Sequence, residues 1–191
     1  MRTSFRSQRG QSIVEMAMIL PILCLVVLGV VEISWAMLDQ HVITKLTREG
    51  ANLISRDASM TDTANALKNM SSRPVNFDAN SRMILSVIKR PATVGATNFD
   101  KDILYARYEY GAYAASSTLS TRGPGNFPAP QYEAPNSDND ANLQLVNFPA
   151  NLLTRGGMLY VTEIYSAHTL ITPFDHFGIQ VPTRLSSIAY F

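Results

Sequence analysis

Residues 7–31 read SQRGQSIVEMAMILPILCLVVLGVV, and the position of one acid in that stretch decides how the rest is read. No charged side chain occurs from Met16 to Val31, and beyond Glu32 the apolar character continues through Ile33, Trp35, Met37 and Leu38. At about 1.5 Å of rise per residue, roughly 20 helical residues cross the hydrocarbon of a bilayer. Residues 16–38 therefore predict a membrane-spanning helix, with Glu32 near its far interface and Trp35 at the depth where indole rings settle. Glu15 stands at the threshold of that span. A carboxylate entering the bilayer costs on the order of 3 kcal/mol, and the positive end of a helix dipole returns only about 0.3 to 1 kcal/mol. A specific partner for Glu15 would offset the remainder.

The leader MRTSFRSQRG, residues 1–10, carries Arg2, Arg6 and Arg9 and no acid, whereas Asp39 follows the span. The positive-inside bias then puts the N-terminus in the cytoplasm and exports the rest. A conventional signal peptide fits poorly, because the apolar core is long, bracketed by glutamates, and followed by a poor small-residue cleavage site near Ser34 and Ala36. A lipoprotein signal would want a small residue where Leu23 precedes Cys24. Cys24 reads instead as a small apolar side chain. As the single cysteine it permits neither an internal disulfide framework nor a Cys-rich zinc site. If the chain were cut after Gly10, Gln11 would expose a new ammonium and Glu15 would become the fifth residue. A neighbouring copy, shifted along the helix axis, could then pair its ammonium with this carboxylate.

Those residues carry a resemblance. Gly10, Gln11, Ser12, Ile13, Val14 and Glu15, behind a basic leader and ahead of an apolar helix, resemble the class III signal of type IV pilins and pseudopilins. RGQSIVEMAMILPILCLVVLGVVEISW, then LTREGANLISR at 46–56, then LYVTEIYSAHTL at 159–170, is similar to the TadE-like minor pseudopilins of tight-adherence (Tad/Flp) pili. These show a VEFALVLP...GIVEFGR anchor, an REGAR-like extension and a late VEVxYxYxPL-like strand. The likeness covers roughly the first 56 residues well. Met16 and Ile33 to Trp35 depart from the pattern, which leaves the choice between TadE-like and TadF-like members open. The resemblance implies cleavage by a prepilin peptidase between Gly10 and Gln11 and makes Glu15 the assembly residue. It also implies other Tad pilins and the assembly platform as partners, a single pass through the bacterial inner membrane, and a periplasmic C-terminal domain that can enter an extracellular pilus.

Beyond the membrane, Leu38, Val42, Ile43, Leu46, Leu53 and Ile54 recur at helical spacing while Lys45, Arg48, Glu49, Arg56 and Asp57 are polar. One helix is expected over 11–56, with Pro21 and Gly29 tolerated inside the membrane span and Gly50 weakening its upper part. Residues 57–191 read as a small α+β domain. Thr61 to Met70 has helix-forming residues; Ser81 to Lys89, Asp102 to Tyr110, Met158 to His168 and Thr183 to Phe191 read as strands. Residues 111–140, punctuated by Gly123, Pro124, Gly125, Pro128, Pro130 and Pro135, form a long loop. Such a loop is either a binding element or an insertion without fixed structure. The expected fold class is α+β and pilin-like: a long N-terminal helix, membrane-spanning below and amphipathic above, packed on a small antiparallel sheet.

Chemistry is sparse. Asp138, Asp140 and Asn142 open like a calcium loop, but Leu143 replaces the turn glycine and Pro149 stands where the bidentate glutamate belongs. An Asx-rich turn is the plainer reading. His168, Asp175 and His176 cluster in sequence without a third ligand or nucleophile spaced to join them. Glu32 either pairs with a basic residue of a partner helix or reaches the outer interface. The formal net charge of +1 gives no basic footprint for nucleic acid. No enzyme motif, metal or cofactor is expected. Two function classes compete: a pilus structural and assembly protein cut after Gly10, and an unprocessed, signal-anchored periplasmic domain that binds a ligand or catalyses a reaction.

Overall fold

The computed structural model describes residues 9–149, 152–172, 174, 178, 180 and 182–191. Its elements in chain order are α1 (Arg9–Ser55), α2 (Met60–Met70), β1 (Ser81–Lys89), β2 (Ile103–Gly111), a short 3-10 turn (Ala141–Leu143), β3 (Met158–Ala167) and β4 (Arg184–Tyr190). The chain divides into two compact units, one of residues 1–38 with 169–181 and the other of 39–168 with 182–191. The helix α1 contributes to both.

In the first unit every α1 side chain from Ser12 to Val27 is exposed. A helix apolar on all sides cannot shed that surface into one protein face, so composition, and not amphipathic packing, dictates its surroundings. Phe174 is buried against this helix, its ring 3.8 Å from where a Cβ on Gly29 would stand.

The second unit is α+β. Its four strands form one antiparallel sheet in the order β2-β1-β3-β4. β1 is central and buried along almost its whole length, which matches its apolar run MILSVI. One sheet face presents Met83, Leu85 and Ile164 to the α1 residues Ile43, Leu46 and Ile54 and to Leu67 of α2, with Phe77 in the same cluster. Each fully buried side chain of this size contributes about 1.5 to 3 kcal/mol. Asp39, Ile43, Leu46, Thr47, Gly50, Ala51 and Ile54 make the buried stripe of α1, at the i, i+4, i+7 spacing of a helix face. Leu38, assigned to that stripe from sequence, is 54% exposed instead. Gly50 explains itself here: a Cβ would stand 2.9 Å from both Leu67 Cδ1 and Thr162 Cγ2. The glycine lets helix backbone approach β3 and α2.

α2 starts where Ser59 accepts from the Asp62 N–H at 3.0 Å, with an acid in the first turn and Lys68 in the last. It buries Met60, Thr63, Ala64 and Leu67.

The long connection between β2 and β3 is a second covering layer. Leu119 and Leu153 pack on Ile88 and Val161, and Ala134 and Leu143 on Ile103. Backbone bonds fasten the layer to the outer edge of β2: Ala134 N–H to Tyr105 O and Arg107 N–H to Tyr132 O, both 2.9 Å. That covering protects a strand edge that would otherwise present unpaired backbone groups. Buried Asn98 closes it further, donating to Ser137 O at 2.7 Å and Asp140 O at 2.8 Å while accepting from Gln144 Nε2 at 2.8 Å.

Candidate functional site

Gly10 and Gln11 lie in the first turn of α1, and exposed Glu15 follows about one turn later. Ile13, Met18, Ile22, Val26, Val30 and Met37 are each more than half exposed. Pro21 sits inside the helix, where it gives no N–H to the Ala17 carbonyl. Among the described residues α1 is the one helix long and apolar enough to cross a membrane, with a mean hydropathy of 2.7 over its most apolar window.

Glu32 departs from this exposed surface. Its side chain is 1% exposed, and one carboxylate oxygen accepts from the Ile171 N–H at 3.1 Å, the Thr172 N–H at 2.9 Å and the Thr172 hydroxyl at 2.6 Å. Carboxylate acceptors make the stronger class of hydrogen bond, and three donors on one oxygen hold the 171–172 turn to the helix within the first unit. Glu32 stands out in the sequence as an acid beside an apolar run, whereas nothing in the sequence marks Thr172, 140 positions away.

The second unit carries two further buried acids. Asp39 Oδ2 accepts from His168 Nδ1 at 2.8 Å, with both side chains nearly inaccessible. His168 is thus placed beside an acid of α1; Asp175 and His176, its companions in sequence, lie outside the described residues. Glu163, fully buried in β3, accepts from the Thr118 N–H at 2.8 Å, the Thr118 hydroxyl at 2.6 Å, the Tyr165 hydroxyl at 3.0 Å and the Ser117 hydroxyl. Arg107 donates to Ser117 and to Leu119 O, and burial lowers its guanidinium pKa. Glu163 thereby fastens the covering layer to the sheet. Its only trace in sequence is an acid inside a strand pattern.

Asp138 accepts from the Thr93 hydroxyl at 2.8 Å and lies 3.4 Å from Lys89 Nζ, and Asp140 accepts from the Asn142 N–H at 2.9 Å. The acids of the apparent calcium loop are committed to turns, and among the described residues no group of three metal-ligating side chains converges. Two clefts of about 610 and 550 Å³ meet at Tyr105. Burial and the neighbouring Glu133 push the Tyr105 phenol up to about 12, so at neutral pH it is a neutral donor to that carboxylate at 2.6 Å.

Fold and helix together define an α+β protein with one N-terminal helix of membrane-crossing length and apolarity. Residues 10–52, less than a quarter of the chain, match the model of the family described as TadE-like protein. Over those residues the chain is similar to TadE-like proteins, a pilus-component family associated with Tad pili. No curated protein and no solved structure matches the chain.

Proposed function

We propose that the chain is a minor pseudopilin, a structural and assembly component of a Tad-type pilus. A prepilin peptidase cuts between Gly10 and Gln11 on the cytoplasmic side of the inner membrane. The helix stays in the bilayer until other pilins and the assembly platform draw it into a filament, and the second unit occupies the periplasm. In that filament Glu15 takes the Gln11 ammonium of a neighbouring copy or a related subunit.

The observation that carries this reading is the five-residue interval from Gly10 to Glu15 at the start of an exposed, all-round apolar helix, inside the family-matched region. An ordinary anchor gains nothing from a carboxylate there. A copy with Glu15→Ala should still be processed and inserted, and should lose most of its co-purification with the pilus subunits from detergent extracts. Undiminished co-purification would contradict the pairing.

A further inference from the structure

The sheet face opposite Met83 and Ile164 gathers two arginines around one tyrosine. Arg82 of β1 stands across from Tyr165 of β3, and Tyr165 is paired with Ser186, two residues from Arg184 of β4. Two strand spacings across and two residues along separate the arginine Cα atoms by about 12 Å, within the joint reach of two arginine side chains. Ala114, Ala115 and Ser116 of the covering layer complete a cavity of about 510 Å³ with them. Two alanines leave the space that larger side chains would fill.

Each guanidinium is held, and neither is spent. Arg184 lies 4.8 Å from the centroid of the Tyr165 ring. That cation–π contact holds the guanidinium over the ring face and uses none of its N–H donors. Arg82 gives Nη2 to Glu109, but its Nε is buried without an acceptor. A guanidinium has five N–H donors, and a buried one left unmade is costly. The two guanidiniums are the charged groups that line the cavity; Glu109 pairs with Arg82, and Glu163, on the same face, is taken up by Ser117, Thr118 and the Tyr165 hydroxyl. The planar fork matches a planar or tetrahedral oxyanion in two-point contact, and the cavity is open to solvent, so an anion has access to it.

We propose that Arg82, Arg184 and Ser116 form a binding site for the oxyanion, carboxylate or phosphate, of a small ligand. Arg184 supplies a preset fork, Ser116 a hydroxyl, and Arg82 a second cation for which the ligand competes with Glu109.

The test uses the full chain in neutral detergent micelles, reading arginine Nε–Hε resonances by NMR during titration with glucuronate, glucose or inorganic phosphate. Saturable shifts of the Arg184 signal are expected with an anion and not with glucose. Saturation by glucuronate alone assigns the site to a carboxylate ligand, and saturation by phosphate alone to a phosphoryl ligand; either outcome, or both, upholds an oxyanion site. Arg184→Gln should weaken binding about tenfold. Glu109→Gln keeps both arginines but removes the carboxylate paired with Arg82, and should tighten binding by up to about fivefold. No saturable shift with either anion, an equal response to glucose, or weaker binding in Glu109→Gln would overturn the proposal.

Discussion

Glu32 and Thr172 meet on a single carboxylate oxygen, which takes the Thr172 N–H at 2.9 Å and its hydroxyl at 2.6 Å. An acid that hydropathy places at a membrane interface is thus an internal clasp for segment 169–172. Removing it strands two backbone donors, that of half-exposed Ile171 and that of buried Thr172. Each such bond to a charged acceptor is worth about 1.5 to 3 kcal/mol. In Glu32→Ala, amide exchange at Thr172 should accelerate by at least about tenfold. Glu32→Gln, which keeps an acceptor oxygen, should recover part of that protection. Equal exchange rates in the parent and Glu32→Ala would contradict the clasp.

Gly50 gives a prediction of opposite sign to helix propensity. Alanine at an open helical position gains up to about 1 kcal/mol over glycine. Here its Cβ would stand 2.9 Å from Leu67 Cδ1 and Thr162 Cγ2 and 3.0 Å from Thr162 Oγ1. Overpacking of that kind costs about 1 to 3 kcal/mol. Gly50→Ala should therefore lower the urea midpoint of the full chain in micelles, and a raised midpoint would show that α1 and β3 are not so close.

The strands and α2 were legible because each is a local pattern. SRMILSVIK supplies a continuous apolar run for a strand covered on both faces, and MTDTANALKNM supplies one apolar helical face behind a serine cap. Gly10, Gln11 and Glu15 are proposed from their spacing in the sequence. What stayed hidden depends on partners far apart in the chain. Glu163 reads as a polar residue in a strand until Ser117 and Thr118 fold over it. His168 looks like company for Asp175 until Asp39 meets it. Residues 111–140 lack periodicity because their packing is made of single contacts and bridging hydrogen bonds, so the same glycines and prolines suit a covering layer and an unstructured insertion alike. Leu38 fits the apolar period by spacing alone, yet falls at the edge of the buried stripe.

Acid should loosen that covering layer. The Thr93 hydroxyl, with Lys89 nearby, holds Asp138 below its usual value of 3.8. A carboxyl whose pKa is depressed on folding adds stability above its unfolded pKa and loses it as pH falls through the folded value. The contribution of Asp138 is thus complete above about pH 5 and declines below about pH 4. Thermal melting of the parent should fall more steeply between those conditions and lower pH than melting of Asp138→Asn. Identical acid slopes would remove Asp138 from this role.

Processing at Gly10 tests the central claim most directly. The intact mass and N-terminal sequence of the chain should be compared after recovery from membranes of cells with and without the cognate prepilin peptidase. The account predicts a chain beginning at Gln11 only when the peptidase is present. A chain beginning at Met1 in both would contradict it, leaving an unprocessed anchor for the exported domain.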